Sequence, residues 1–190
     1  ALDMLRECAQ PDDMAARQLQ RIEEALRQMQ QQTELFLQLS RTPDSLADEI
    51  RSPLLTVAER QLDYWQSQAQ VQGLTLRLEY EGVLPELPTT MLTAVLNNLI
   101  RNALRHTQSG GITIRLEAER LMVIDTGSGI APEFLDRVRE RGFSAANVTG
   151  FGLGLAIVQR ICEHQGWRMD IAPNEPVGTS VTIHYGATSS

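Results

Sequence analysis

Three polar blocks stand in a fixed order along this 190-residue chain. They run from Asn98 to Thr107, from Asp125 to Ile130, and from Gly150 to Leu155. Apolar residues lie within or beside each block, in patterns that predict a helix, a strand end and a helix start in turn. Each block is weak evidence alone, but the ordered set requires a fold in which all three can surround one cleft.

The first block is predicted to lie on a helix, because apolar residues recur there at spacings of three and four. Asn98, Asn102 and Arg105 then share a neighbouring polar face. An Asn oxygen can ligate Mg²⁺, a hard cation that prefers oxygen ligands, and a guanidinium can neutralise phosphate charge. Alone, this block is more typical of a solvated polar face on a core helix.

The second block follows the apolar run 121–124, which predicts a buried strand that ends at Asp125. A carboxylate in that place can accept a hydrogen bond from an exocyclic amine. Gly127 and Gly129 lack a Cβ, so the backbone can approach a flat ring or adopt a positive φ. The alternative is an ordinary Asp-Gly turn.

The third block opens a predicted helix with glycines at positions 150, 152 and 154. The free N–H groups and the positive dipole end of a helix N-terminus suit phosphate. The spacing is neither the G-x-G-x-x-G of dinucleotide-binding folds nor a P-loop, which argues against both of those folds.

Together the blocks resemble the N, G1 and G2 boxes of the GHKL ATPases, which include gyrase, the mismatch-repair ATPase, the ninety-kilodalton heat-shock chaperone and the sensor histidine kinases. The resemblance covers roughly residues 72–185. Hydrolytic members carry a water-activating Glu where this chain has Asn98, and an amide cannot act as a general base. The first block is therefore similar to the histidine-kinase version of the N box.

The resemblance implies that ATP and Mg²⁺ bind here. Asn102 is then the metal ligand, Asn98 a second metal or phosphate contact, and Arg105 a phosphate contact. These three residues act in catalysis by positioning and charge neutralisation. His106 is expected to flank the nucleotide, and Asp125 to accept a hydrogen bond from the adenine amine. The other implied nucleotide-binding residues are Gly127, Gly129, Ile130, Gly150, Gly152, Leu153, Gly154 and Thr179.

Three further stretches bear on this site. Many family members have a Phe-x-x-Phe-Phe pattern before the last block, whereas this chain keeps only Phe143, which leaves the packing of the lid open. The pair Gly178-Thr179 resembles a Gly-Thr that supports the adenine pocket, or is simply a turn. Trp65 and Trp167 are expected to pack in the core or at its rim rather than against a ligand.

The N-terminal part of the chain has a different character. Residues 14–41 contain no Gly or Pro and carry a heptad stripe, and residues 1–8 are typical of the end of an earlier helix. We therefore expect residues 1–42 to be a dimerisation hairpin, truncated at its N-terminus, whose second copy would complete a four-helix bundle. The alternative is a helical pair packed on its own domain.

In the family, the phosphoacceptor His lies on the first hairpin helix, but the first His of this chain is His106. We expect the chain to be a fragment that begins about a dozen residues after the missing His. Residues 48–54 resemble the acceptor box with Asp48 in place of the His. A single helix then leads to about Val71 and directly into a strand, so this likeness is expected to be coincidental.

Residues 43–190 are expected to form a catalytic ATP-binding domain of the Bergerat type, an α/β sandwich with a mixed sheet on helices. The fold class of the whole chain is then α+β. The predicted helices are 53–71, 89–106, a short helix after Pro132, and 152–165, and the predicted strands are 74–80, 111–118, 121–125, 167–172 and 179–185.

Composition sets further bounds on function. The formal net charge of −7 argues against nucleic-acid binding through a basic surface. No apolar run approaches the length of a membrane span. Cys8 and Cys162 are expected to be free thiols in a reducing compartment, and the three His residues are too scattered for a zinc site.

These patterns predict the cytoplasmic catalytic core of a sensor histidine kinase that is anchored to the inner membrane only through missing upstream segments. The γ-phosphoryl of Mg-ATP would pass to a His on the dimerisation helix, and then to an Asp on a response-regulator receiver domain. Two alternatives remain. One is a nucleotide-binding signalling module or pseudokinase without phosphotransfer. The other is an anti-sigma-type protein-serine kinase, against which the heptad hairpin argues.

Overall fold

The structure is a computed structural model, and it describes residues 50–129 and 152–186. The chain divides into two units at the junction of Thr42 and Pro43, and every described residue belongs to the second unit. The predicted hairpin of residues 1–42, the short helix after Pro132 and the lid lie outside the described residues. The account of the fold therefore concerns the second unit alone.

Long helices and short strands alternate along the described residues. The helices are α1 (Leu54–Val71), α2 (Thr89–His106) and α3 (Gly152–Gln165), and the strands are β1 (Arg51–Pro53), β2 (Thr75–Tyr80), β3 (Glu86–Pro88), β4 (Gly111–Leu116), β5 (Arg120–Asp125), β6 (Arg168–Pro173) and β7 (Thr179–His184). Each of these helices, and each of the six-residue strands, matches a predicted element to within two residues at either end.

The six-residue strands form one five-stranded sheet in the order β2-β4-β5-β7-β6. Strands β2 and β4 are parallel, and Leu76 lies opposite Ile112. The other neighbours are antiparallel. The sheet is therefore mixed, as predicted, and the α+β class is confirmed for this unit.

One face of the sheet is covered by helices. Alternate residues of β4, namely Ile112, Ile114 and Leu116, are fully buried, as period-2 packing against a core requires. Helix α2 contacts both α1 and α3, and its apolar stripe is buried along its whole length. Each buried aliphatic side chain contributes about 1.5–3 kcal/mol relative to exposure. This packing fixes the rotation of α2, and hence the direction of its polar face.

Strands β1 and β3 are not predicted from the sequence. They pair antiparallel, with Arg51 opposite Pro88. Each is only three residues long and ends in a proline, so neither shows a measurable alternation and each lacks a backbone donor at its end. Their pairing corrects the predicted start of the first helix from residue 53 to Leu54, because Pro53 has an extended ψ of 128°. Residues 51–53 of the segment that resembles an acceptor box are thus a short strand rather than part of a helix, which agrees with the expectation that the resemblance is coincidental.

The two tryptophans pack as expected. Trp65 is only 7% exposed, and its Nε1 donates to Oδ1 of Asn97 at 2.9 Å, which ties α1 to α2. The ring of Trp167 meets that of Tyr185 edge-on at 6.2 Å. Cys162 is a buried free thiol, and burial raises its pKa to about 12, so it is inert at neutral pH.

Two absences concern only the part of the chain that the structure describes. Over residues 50–129 and 152–186, no helix combines the length and the apolar character needed to cross a bilayer. Across the same residues, no group of three or more His, Cys, Asp or Glu side chains is arranged to hold a metal ion.

Candidate functional site

Asp125 ends β5 and is the central polar residue of the candidate site. It is only 6% exposed. Its Oδ1 accepts hydrogen bonds from the backbone N–H of Gly127 at 2.9 Å and from that of Thr179 at 3.1 Å. A single carboxylate oxygen therefore joins the end of β5, the turn after it and the first residue of β7.

Burial raises the pKa of Asp125, because desolvation disfavours the charged form. The two backbone hydrogen bonds and the nearby His106 act in the opposite direction. Within the described residues, the hydrogen bonds of this carboxyl group all use Oδ1. Oδ2 is thus the oxygen that can accept from a ligand, as recognition of an amine requires.

Glycines let the backbone pack tightly around this carboxylate. Gly178 has a φ of +128°, and a Cβ there would overlap the main-chain oxygen of Asp125. A Cβ on Gly127 would overlap the carbonyl oxygen of His106. Gly129 has a φ of +73° and lies against Gly178, where a Cβ would be 3.3 Å from the carbonyl oxygen. The turn that follows β5 and the turn that precedes β7 therefore form one continuous wall.

Asn174 supports the same wall, and sequence reasoning missed it. It lies in the turn between β6 and β7, where its N–H donates to the carbonyl oxygen of Gly178 at 3.0 Å. Its side-chain Nδ2 donates to the main-chain oxygen of Asp125 at 3.0 Å. An Asn in a Pro- and Gly-containing turn predicts only a turn. No local pattern shows that this turn reaches a strand 49 residues earlier.

The C-terminal end of α2 meets the Asp125 turn. Ser128 N–H donates to the carbonyl oxygen of His106 at 3.1 Å. The side chains of Arg105 and His106 are exposed. Asn102, one turn earlier, is half-buried, and no hydrogen bond within the described part of the chain engages its amide. Its oxygen is therefore available to a ligand, as the predicted metal contact requires.

Asn98 lies one helical turn before Asn102 on α2 and faces the start of α3. Its Nδ2 donates to the carbonyl oxygen of Ala94 at 2.8 Å, and its Oδ1 accepts from Nη2 of Arg101 at 2.8 Å. A Cβ built on Gly154 would lie 3.3 Å from that Oδ1. The glycine of the third block thus allows the first turn of α3 to approach Asn98 closely.

The predicted site residues form two clusters, one at each end of the polar face of α2. The first cluster contains Asn98 and Gly154. The second cluster, at the C-terminal end of α2, contains His106, Asp125, Gly127, Gly129 and Thr179. Asn98 and His106 are eight positions apart, which corresponds to roughly 12 Å along the helix at 1.5 Å per residue. That separation suits a ligand with a base at one end and phosphates at the other.

The remaining predicted site residues lie at the start of α3 or outside the described residues. Gly152 and Leu153 are the first two residues of α3. Ile130 and Gly150 lie outside the described residues. Phe143, whose surroundings bear on lid packing, also lies outside them.

The donor set suits Mg²⁺ carried by a polyphosphate. Since the described residues offer no cluster of carboxylates, a metal ion there would have few protein ligands. Mg²⁺ usually binds proteins through one or two oxygen ligands together with substrate phosphates and water. The Asn102 amide oxygen, on the face of α2 that carries Asn98, fits such a ligand.

Comparison with known proteins assigns the chain to a family. The histidine kinase-, DNA gyrase B- and HSP90-like ATPase family matches residues 89–188. The match covers more than half of the chain and includes α2, the Asp125 turn and α3. The chain belongs to this family.

Its relatives include sensor histidine kinases. It is 29% identical to the sensor protein QseC of Escherichia coli O157:H7 over 147 residues, which are 75% of this chain and 33% of that protein. It is 36% identical to the sensor histidine kinase Hik2 of Thermosynechococcus vestitus over 141 residues, 68% of this chain and 34% of that protein. The chain thus spans about a third of the length of these relatives.

The fold agrees with this assignment. The structure of the cytoplasmic segment of histidine kinase QseC superposes with a TM-score of 0.62 at 22% identity, covering 86% of this chain and 93% of that one. The likeness concerns the fold alone. The mixed sheet and its helices share the fold of that segment.

The glycine wall predicts a difference between two substitutions. Gly73 and Gly178 both have positive φ, but a Cβ on Gly73 meets nothing within 4 Å. Gly73→Ala should therefore lower the free energy of unfolding by only roughly 1–2 kcal/mol, which is the strain of a left-handed backbone conformation. Gly178→Ala should cost at least about 2 kcal/mol more, because its Cβ overlaps backbone. Urea unfolding of both variants measures this difference, and equal losses would show that the β6–β7 turn is not held against Asp125.

Proposed function

We propose that this chain is the catalytic core of a sensor histidine kinase that binds Mg-ATP and transfers its γ-phosphoryl group to a His on a dimerisation helix. The observation that carries the proposal is the buried Asp125 carboxylate, with Oδ1 fixed by two backbone N–H groups and Oδ2 left for a ligand. An acceptor in this setting recognises an amine, and adenine presents one. The relationship to QseC and Hik2 supports the same conclusion.

Helix α2 arranges the nucleotide in this proposal. Asp125 accepts from the adenine amine, while Gly127, Gly129 and Thr179 shape the base pocket. Asn102 would hold Mg²⁺, which would neutralise charge on the phosphates when bound. Arg105, His106 and the N-terminal end of α3, which includes Gly152, Leu153 and Gly154, face the sugar and phosphates. Ile130 and Gly150 are the other residues that the proposal assigns to the nucleotide site.

The transfer breaks the bond between the γ-phosphorus and the bridging oxygen, forms a phosphorus–nitrogen bond to the acceptor imidazole, and releases ADP. The chain contributes position and neutralisation of charge rather than a nucleophile. Water is not activated, because Asn98 is an amide whose Nδ2 and Oδ1 already bond Ala94 and Arg101. Base catalysis is typically worth 10²–10⁴-fold, so hydrolysis is slow.

The proposal extends to partners and location. Residues 1–42 form a dimerisation hairpin that pairs two copies of the chain, and residues 43–190 form the ATP-binding domain. The phosphoryl group passes from the His to an Asp on a response-regulator receiver domain. The chain belongs to the cytoplasmic portion of a kinase that is anchored to the inner membrane.

A second candidate function is a module that binds ATP and signals by conformation without transferring phosphate. It is favoured by one observation, which is that the family matching residues 89–188 is described by DNA gyrase B- and HSP90-like ATPases as well as by histidine kinases, so membership does not by itself imply phosphotransfer. The two functions share the same nucleotide site, so nucleotide binding does not separate them, whereas phosphotransfer does.

The first test is phosphotransfer with radiolabelled ATP. The 190-residue chain should bind ATP without forming phosphohistidine. A longer form that includes the upstream helix, or that helix added in trans, should acquire acid-labile label on the helix. Failure of the longer form to be labelled, despite ATP binding, would favour the signalling module. Acid-labile label on His106, His164 or His184 of the chain alone would contradict the assigned acceptor.

The role of Asn102 is tested through the metal. Asn102→Ala should reduce the Mg²⁺-dependent part of ATP affinity at least about tenfold, or 1.4 kcal/mol, while the fold is kept because the side chain is on a polar face. Thr90→Ala, at an exposed position of the same helix, is the matched control and should change nothing. Calorimetric titration measures the ATP affinity of each variant with and without Mg²⁺. If the parent chain and Asn102→Ala both bind ATP equally well with and without Mg²⁺, Asn102 is not the metal ligand.

Base selectivity tests Asp125. Guanine presents a carbonyl where adenine has its amine, and two opposed buried acceptors cost about 1–3 kcal/mol. ATP should therefore bind at least about tenfold more tightly than GTP. Asp125→Asn should narrow this gap, because an amide can also donate.

The same variant should keep its fold. An amide oxygen can still accept from Gly127 and Thr179, and the raised pKa of Asp125 shows that the charged form is disfavoured by burial. Asp63→Asn, an exposed carboxylate on α1, is the matched control for the loss of charge. Indistinguishable ATP and GTP affinities in the parent chain would remove Asp125 from the adenine site.

A further inference from the structure

Asn174 lies just past the end of β6 and bonds both to its own turn and to another strand. Its N–H donates to the carbonyl oxygen of Gly178 at 3.0 Å, which closes the turn. Its side-chain Nδ2 donates to the main-chain oxygen of Asp125, also at 3.0 Å, and this bond is partly shielded from water. The amide of Asn174 thus reaches the residue that the proposed function assigns to the base.

The ladder between β5 and β7 explains why that oxygen needs a donor. Its pairing ends at Ile124 opposite Ser180, so Asp125 and Thr179 would be the next pair. Thr179 directs its N–H toward β5, and in a continued antiparallel ladder it would donate to the main-chain oxygen of Asp125. Here that N–H donates to Oδ1 of the carboxylate at 3.1 Å instead. The main-chain oxygen accepts from Asn174.

Asp125 and the β6–β7 turn have therefore exchanged hydrogen-bonding partners. The carboxylate binds a main-chain donor, and the side-chain amide of Asn174 binds the main-chain acceptor. Asp125 is only 6% exposed, and a buried carbonyl oxygen without a donor is unfavourable. If residue 174 could not donate, this oxygen would compete with Oδ1 for the N–H of Thr179. The direction of the carboxylate thus depends on Asn174.

We propose that Asn174 is the positioning residue for base selection, because it binds the main-chain oxygen of Asp125 and leaves the N–H of Thr179 to the carboxylate that accepts from the base. The inference rests on the proposed nucleotide site and deepens it with a residue outside the three polar blocks. Asn174 acts through the direction of the Asp125 carboxylate and not by contact with the base. Its effect is on adenine against guanine, and not on the number of phosphates.

The experiment measures the affinities of ATP, AMP and GTP by titration calorimetry on the 190-residue chain. Asn174→Ala should weaken ATP and AMP by the same factor, about three- to tenfold, as expected for loss of a hydrogen bond. GTP should change less than about twofold, because guanine presents a carbonyl to the carboxylate and gains nothing from its direction. Gln68→Ala, which removes an exposed amide from α1, is the matched control and should change none of the three affinities.

Asn174→Asp tests the donor without a change in side-chain size. An ionised carboxylate accepts hydrogen bonds but cannot donate them. This variant should lose base selectivity at least as far as Asn174→Ala does. Retention of the parent's ratio of ATP to GTP affinity in Asn174→Asp would overturn the inference.

A second measurement needs no nucleotide. The N–H of Thr179 is one of the groups that lower the pKa of Asp125, by bonding its charged form. If Asn174→Ala diverts that N–H to the main-chain oxygen, the pKa of the Asp125 carboxyl group should rise above that of the parent chain. His106, whose charge acts on the same carboxyl group, is unaltered in the variant. Carbon-detected NMR titration measures the difference, and an equal or lower pKa in the variant would contradict the exchange of partners.

The failures of the two proposals differ in these experiments. An equal loss of ATP, AMP and GTP affinity in Asn174→Ala, which a merely structural role predicts, would overturn the inference while the parent chain still binds ATP. No loss of any affinity would do the same, and a loss for ATP without one for AMP would place the effect at the phosphates and also overturn it. Failure of the parent chain itself to bind ATP would overturn the proposed function, and the inference with it.

Discussion

The site depends on one buried carboxylate that is bound by the backbone. Asp125 is almost inaccessible to water, and burial of a charge without compensation is costly. Compensation comes from the N–H groups of Gly127 and Thr179, which belong to two separate segments. Both segments must therefore be in place before the carboxylate is tolerated, and their close approach in turn requires glycine at 178. The proposed recognition of a base therefore depends on the same contacts that hold the end of β5 to the start of β7.

Helix α2 connects this carboxylate to the other end of the site. Its apolar stripe packs on the sheet and between α1 and α3, and the bond from Trp65 to Asn97 adds a polar tie to α1. With its rotation fixed in this way, its polar residues lie on one line. The line runs from Asn98, beside Gly154 of α3, to His106, beside the Asp125 turn. One rigid helix therefore sets the distance between the proposed base and phosphate sites.

Much of the fold follows from periodicity. The stripe of α2 and the alternation in β4 are strong, and both elements have the predicted start. The strands β1 and β3 could not be predicted, because three residues are too few for a pattern and each is stabilised by pairing with the other. Asn174 was missed for a related reason. It is an ordinary surface residue type until another segment lies beside it, and nothing local indicates which segment that is.

The sequence by itself determined the family resemblance, the mixed α+β fold and the order of the three blocks, because glycines, amides and apolar periods are local properties of the chain. It also determined that Asn98 cannot act as a base, since this follows from the amide group alone. Only the tertiary structure decided which atoms meet. The approach of the β6–β7 turn to Asp125, and of α3 to Arg101, joins residues 49 and 53 positions apart. Such contacts depend on how the elements pack, and packing is a property of the folded chain as a whole.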